Sequence, residues 1–477
     1  MGCRSSDGTF YDQGMRFIRN ALLLIVFLLI VGSAGAWFWA GREAGPAITI
    51  NSPTAMIGRS GTLDVTAESA TPVTRLTATL EQNGQSIPVA SFENGAATQG
   101  QVKPAGDGRL TITGPLGKDP QPSLVSGPAT ITVTASRPVL FGFRTAESAT
   151  SREVQVRLDP PRVSVVSIHQ FINVGGAEFV VLNVTPEDVE AGIKVGDTEY
   201  RAYPGKGAGL ANPIMRVAFF ALRHDQDAQT RITAFARDAA GNEVTAPLEH
   251  QPTNKKFLQS KIPIDQPFLD RVVPPIASNT PGLKIDTGSP EGLLKGFLVI
   301  NGDLRKKNAE TIAALAQKTK PEMLWRDAFV QMGNSQVESR FADRRTYYFD
   351  SKEIDRQVHL GFDLASVQHA PVHAANAGVI VHADFLGIYG NCVIIDHGLG
   401  VQSLYAHMSL IGVKVGDTVT KSQELGRTGS TGLAGGDHLH FTMLLQGTPI
   451  NPVEWWDQHW MEDRVFRKIR EAGGTPP

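Results

Sequence analysis

The sequence predicts a mainly β chain: an N-terminal transmembrane helix, two β-sandwich domains, a short helical connector and a C-terminal β-sheet domain. Three observations predict it. An uncharged apolar run lies near the N-terminus, from Asn20 to Gly41. Apolar and polar residues alternate with period two between residues 44 and 250, punctuated by Gly, Pro and Asn-Gly, as half-buried strands require. Compact Val- and Ile-rich segments return after residue 346, interleaved with histidines.

The apolar run is long enough to cross a bilayer core of about 30 Å. Arg4, Arg16 and Arg19 precede it and Arg42 follows, so residues 1–16 are expected in the cytoplasm and 17–41 as the anchor. Trp37, Phe38 and Trp39 suit the outer interface. Ala34-Gly-Ala36 resembles a signal-peptide cleavage site, but the aromatic cluster carries the span beyond Ala36, which favours an uncleaved anchor. Either way residues 44–477 are exported. Met1-Gly2-Cys3-Arg4-Ser5-Ser6 matches a myristoylation pattern, a chance match beside a spanning helix.

At 477 residues the chain has room for about three domains. With 41% apolar and 19% charged residues it is ordinary globular material. A net charge of -2 and the lack of a basic stripe exclude an electrostatic case for nucleic acid. Cys3 and Cys392 fall on opposite sides of the membrane candidate, so no disulfide joins them.

Residues 44–158 form the first β-sandwich. Leu63–Ala67, Leu76–Leu80 and Ala129–Ala135 are strands, and Asn83-Gly84 and Asn94-Gly95 are hairpin turns. Pro160-Pro161 marks a boundary. Residues 162–250 repeat the style in Val163–Ser167, Phe179–Val184 and Thr230–Asp238, with a hairpin tip at Asp238–Glu243. This segment resembles the immunoglobulin-like domains of bacterial surface proteins, which implies a spacer between membrane and C-terminal domain, or a module that docks other cell-envelope proteins.

Residues 251–345 form the connector. Glu310–Thr319 has helical spacing with Ile312, Leu315 and Ala316 on one face, and Lys320-Pro321 ends it. Met323–Phe329 is expected to start another helix. Within 346–460 the strands are Val379–Ala383, Cys392–Asp396, Ser403–His407 and Val413–Val419. Trp455-Trp456 and the charged run after Met461 predict a closing helix and tail over 461–477.

Five residues carry the chemistry. His438 and His440 are two apart in a strand, so both side chains point to one face, roughly 6–7 Å apart at Cα. One imidazole can bind a metal while the other reaches a water on it. His359 and Asp363 are four apart, about 13 Å on a straight strand, and share an ion only if the chain bends, which Gly361 permits. His407 is a further buried-type histidine. Two histidines and a carboxylate are the ligand set of a zinc site with an open position, and two histidines remain for proton transfer, which reads as a metal-assisted hydrolase. Cys392 reads as core. His369, His373, His382 and His397 read as structural. The Gly-rich run Gly426–Gly436 lacks the Lys-Ser/Thr ending of a phosphate cradle. Val413–Glu424 resembles a hairpin of biotinyl or lipoyl carriers but has no attachment lysine motif.

The motifs His359-Leu-Gly-Phe-Asp363, Tyr389-Gly-Asn-Cys-Val-Ile-Ile-Asp-His397-Gly, Tyr405-Ala-His407-Met-Ser and Gly429-Ser-Thr-Gly-Leu-Ala-Gly-Gly-Asp-His438-Leu-His440-Phe together resemble the LytM/lysostaphin-type zinc endopeptidases of peptidoglycan, over about residues 346–458. The resemblance implies one zinc ion on His359, Asp363 and His440, with His438 and His407 acting on the attacking zinc-bound water and the transition state. Asp437 stands where many members have proline and Thr442 where many have glutamate, which bears on substrate preference. The implied protein is an endopeptidase of peptidoglycan cross-links, held by a single-pass inner-membrane anchor with its bulk in the periplasm. The rival reading is a non-hydrolytic cell-wall module that activates another hydrolase. A third is a latent enzyme covered by residues 284–345. Which bond is cut stays open.

Overall fold

In the computed structural model the described residues are 8–104 and 108–477. Cys3, the Met1–Ser6 motif and the start of the expected cytoplasmic segment lie outside them. The chain is mainly β, with one long N-terminal helix, Gly8–Ala40. From Met15 this helix is long and apolar enough to cross a membrane. Leu22, Phe27 and Ile30 are all more than half exposed on it.

The described residues form two compact units. The first ends at Pro160 and takes in Asp238–Asn242; the second holds Pro161–Arg237 and Glu243–Pro477. In the first, one sheet runs in the order Ala47–Ser52, Gly61–Glu68, Arg109–Leu116, Gln101–Pro104. The other runs Met56–Ile57, Arg144–Val156, Gly127–Val139, Arg75–Gln82, Gln85–Glu93, Ala96–Gln99. Leu63, Val65 and Ile112 from one sheet and Leu76, Leu80 and Ile131 from the other share a single core. Alternation explains the pairing, because every second residue of each strand turns inward. The hairpin turns use Asn83 (φ 52°) with Gly84 (φ 76°), and Asn94 (φ 47°) with Gly95 (φ 93°), the residues that left-handed turn positions favour.

The second unit contains two four-stranded sheets between residues 162 and 247, and then the connector and the C-terminal sheets. The sequence division drew 162–250 apart from 346–460, yet the two regions bury side chains in one core. Trp325 is fully buried, with ring centroids 5.8 Å from Trp455, 6.3 Å from Phe219 and 5.4 Å from Phe329. Met323–Phe329 is therefore not a helix. Trp325 and Phe329 plug that core, and the backbone bonds outward, Met323 N to Gly207 O (2.9 Å) and Phe329 N to Trp455 O (2.9 Å).

The connector is more helical than its sequence suggested. Gln266–Asn279 and Pro290–Val299 are helices started by the side-chain caps Asp265 and Ser289. Pro274 and Pro275 inside the first of these masked its helical pattern. The expected Glu310–Thr319 helix runs Arg305–Ala316, with Ile312 and Ala316 buried.

The C-terminal region is built on an antiparallel sheet in the order Gln336–Ser339, Phe362–Ala365, Leu439–Leu445, Val401–Met408, Asn391–Gly398, Gly378–Phe385, Thr418–Val419, with Thr448–Ile450 paired to Leu439–Leu445. Of the expected strand Val413–Val419 only Thr418–Val419 is a strand. The residues before it form a turn, Asp417 N bonding to Lys414 O at 3.1 Å. Short helical pieces, Val453–Trp456, Gln458–Met461 and Arg467–Glu471, close the chain.

Candidate metal centre

His359 ends the strand Lys352–His359, which pairs with Asp343–Phe349 in a separate three-stranded sheet. Three residues later the chain enters Phe362–Ala365, in the large sheet. This change of sheet at Leu360-Gly361 is the bend that the His359–Asp363 spacing needs. In the large sheet Asp363 lies opposite His440, and His440 lies opposite Ala406. Register alone thus sets the carboxylate beside the second histidine of the pair, with His407 one residue away. His407 sits at a bulge opposite Cys392 with φ 63°, a conformation rare outside glycine and concentrated at functional sites.

One atom from each of His359, Asp363 and His440 lies within 4.8 Å of the others. Asp363 Oδ1 is 2.9 Å from His359 Nε2 and 3.0 Å from His440 Nδ1, and the two nitrogens are 3.0 Å apart. Hydrogen bonds orient both rings. Thr442 Oγ1 donates its one proton to Leu360 O (3.0 Å), so it must accept from His440 Nε2–H at 3.0 Å. His440 Nδ1 is then unprotonated. His359 Nδ1 lies 3.1 Å from Arg340 O and 3.2 Å from Ser339 Oγ, and its Nε2 faces the cluster. Two imidazole nitrogens and a carboxylate oxygen thus converge, a donor set suited to a cation. Ligand atoms about 2.0–2.1 Å from a tetrahedral ion lie roughly 3.3 Å apart, so the donor set fits such an ion.

The other oxygen of Asp363 accepts from Arg345 Nη2 at 2.9 Å, and Arg345 also donates to Ser339 Oγ at 2.7 Å. Burial alone would raise the Asp363 pKa, but His359 and the other neighbouring histidines hold it well below the usual carboxylate range. Arg345 and Thr442 are supports of the kind that orient ligands. Sequence reasoning missed Arg345, which sits beside Arg344 with no spacing signal.

His407 and His438 flank the cluster, their ring centroids 4.9 Å apart. Each donates Nδ1–H to a carbonyl of the Gly-rich loop, His407 to Thr431 O (2.8 Å) and His438 to Gly436 O (2.9 Å). Each therefore presents a bare Nε2, and that of His438 is 3.5 Å from Asp363 Oδ1. Burial, then His438 and His440, hold His407 well below its ordinary pKa. For His438 burial is outweighed by Asp363, and its pKa is raised. Both rings can take up a proton, each against a different balance of burial and charge.

Two clefts meet at this cluster. One, of about 210 Å³, is bounded by Arg305, Tyr389 and Pro449. The other, of about 520 Å³, is bounded by Ile262, Phe268 and Glu338. Arg345, Asp363, Leu433 and His438 line both. The expected cover, residues 284–345, supplies Arg305, Ala309 and Ile312 to the first. The helix Gln266–Asn279, outside that range, also reaches the site, with Arg271 Nη2 2.9 Å from Gly435 O. Leu433 packs against the cluster of Phe297, Leu269 and Tyr347.

The remaining candidates lie elsewhere. Cys392 is buried with Ile394, Leu404 and Ile312, and burial pushes its thiol up. His397 is buried, its Nδ1 2.7 Å from Ala377 O. His369 is more than half exposed.

Residues 357–452, which hold all five site residues, match peptidase family M23. The DD-carboxypeptidase/endopeptidase Mpg of Neisseria meningitidis serogroup B is 42% identical over 97 residues, 20% of this chain and 22% of that protein. The peptidoglycan DD-endopeptidase ShyA of Vibrio cholerae serotype O1 is 29% identical over 163 residues, 34% of each chain. The matched segment thus spans about a fifth to a third of these relatives' length. The catalytic domain of the prophage-encoded M23 protein EnpA of Enterococcus faecalis is 26% identical, covering 26% of this chain and 94% of that domain, at a TM-score of 0.23, too low to support inference. The C-terminal part of the chain is a peptidase family M23 domain of the LytM type.

Proposed function

We propose that the chain is an exported, membrane-anchored zinc endopeptidase that hydrolyses peptide cross-links in bacterial peptidoglycan. The observation that carries this reading is the donor set: two imidazole nitrogens and a carboxylate oxygen converge, with the rings of His407 and His438 beside them. His359, Asp363 and His440 would hold the ion. Bound there, zinc would bring the pKa of a water toward about 7 and draw charge from the substrate carbonyl. His438 or His407 accepts the proton of the attacking water and returns it to the leaving amine. Between those two transfers the protonated ring stands beside the developing oxyanion. The two clefts receive the chain on either side of the scissile bond. Since relatives are named DD-endopeptidases, we assign the D,D cross-link between stem peptides.

The β regions between residues 44 and 250 read as immunoglobulin-like, the first a spacer and the second packed into the catalytic core. The latent reading, in which residues 284–345 cover the cleft, draws on Arg305, which lines one of the two clefts. No observation favours the non-hydrolytic rival, since all five residues are in place.

The test is muropeptide release from purified sacculi by the full chain in detergent, beside His438→Ala and His407→Ala. Release by the native chain, stopped by chelator, restored by zinc and reduced about 10²–10⁴-fold in the variants, is expected. A native chain that binds no zinc and releases nothing overturns the reading.

A further inference from the structure

The hairpin between the strands Gly127–Val139 and Arg144–Val156 has an unusual tip, Leu140-Phe141-Gly142-Phe143. Phe141 is 100% exposed and Phe143 78%. Leu140 (φ 50°), Phe141 (φ 57°) and Gly142 (φ 91°) are all left-handed, where bulky apolar residues are rare. Two other hairpins of the same unit meet this demand with Asn-Gly at 83–84 and 94–95. A tip facing water would do the same. Here two phenylalanines are held out instead.

The position of the tip points to what they meet. Arg144 Nη1 donates to Trp37 O at 2.6 Å, and its guanidinium lies 5.2 Å from the Trp37 ring centroid. Ala146 and Val139 bury Ala40. Further on, Ser148 Oγ donates to Pro46 O. Strand residues 144, 146 and 148 thus meet residues 37, 40 and 46 in order, so strand and helix leave the apolar span together. The tip, before residue 144, projects toward that span. Beside it Trp37, Phe38 and Trp39 are 51%, 62% and 74% exposed. Arg42 lies 4.5 Å from the Phe38 ring centroid. Aromatic rings with arginine at one level are the composition of a lipid interface.

We propose that Leu140–Phe143 is a second membrane contact, seated in the outer phospholipid interface beside the apolar helix. It rests on the membrane-anchor reading above. Two contacts fix the tilt of the first unit on the bilayer, which one helix leaves free to swivel.

The test uses the full chain in vesicles of phosphatidylethanolamine and phosphatidylglycerol. In a Cys3→Ser background, where Cys392 is buried and unlabelled, an environment-sensitive fluorophore is placed by Phe141→Cys, by Phe38→Cys or by Gln85→Cys at a distant hairpin. Label at 141 should be quenched by lipids brominated near the headgroup, as at 38, and be roughly threefold less open to iodide than at 85. Lipid quenching at 38 with iodide access at 141 equal to that at 85 overturns the proposal alone. Iodide access at 38 and 141 alike overturns the anchor reading and the proposal with it.

Discussion

Gly361 lies against the ring of His440: a β-carbon at position 361 would stand 2.6 Å from both Cε1 and Nε2 of that ring and 2.6 Å from Thr442 Oγ1. Contacts that short are not tolerated without displacement. The glycine of the His359–Asp363 motif thus serves close approach as much as bending.

Gly361→Ala should displace His440 and weaken metal binding by about 10–100-fold, read by competition with a chromophoric chelator. Unchanged affinity would show that the ring gives way without cost.

Thr442→Val removes the acceptor for His440 Nε2–H and the donor to Leu360 O. The His440 tautomer is then no longer set, and zinc affinity should fall about tenfold or more with little change in fold by circular dichroism. Retained affinity in Thr442→Val, with loss only in Thr442→Ala, would assign Thr442 to packing.

His397 is buried and neutral, its pKa lowered to about 4, chiefly by burial. A depressed pKa gives stability that is full above the unfolded value near 6.5 and is lost as pH falls toward 4. The chain should lose roughly up to 3 kcal/mol from this group over that window. His397→Gln should be less stable at pH 7 but show a flatter acid limb in urea unfolding. Parallel pH profiles for the two proteins would refute this.

Arg271 grips the Gly-rich loop at Gly435 O. An exposed charge-assisted bond of this kind is worth about 1 kcal/mol. If the connector restrains the loop, Arg271→Ala should raise kcat/KM about fivefold. A fall would mean that the contact shapes the site rather than restrains it.

Trp325→Ala empties a site enclosed by Phe219, Phe329, Trp455 and Phe466. It should cost about 3–5 kcal/mol and lower one shared thermal transition of residues 161–477. Two transitions moving apart would mean that the β region and the peptidase domain unfold independently.

The sequence by itself marked the five candidate site residues and the β character of most of the chain. His359, Asp363, His407, His438 and His440 were legible because metal and proton chemistry restrict residue types, and spacing on strands carries side-chain direction. Strand alternation and Asn-Gly turns were legible for the same local reason. Only the tertiary structure decided what joins residues far apart. The change of sheet after His359, the register of Asp363 with His440 and the support from Arg345 and Thr431 depend on which strands become neighbours, and no local pattern records that. Met323–Phe329 has local helical content, but Trp325 and Phe329 gain more from a shared core than from a helix turn. The helix Gln266–Asn279 formed despite Pro274 and Pro275 because its buried face, Leu269, Val272, Val273 and Ile276, meets a partner that its sequence does not name. Local preference is worth tenths of a kcal/mol per residue and burial of a large side chain several, so where the two disagreed the tertiary contacts prevailed.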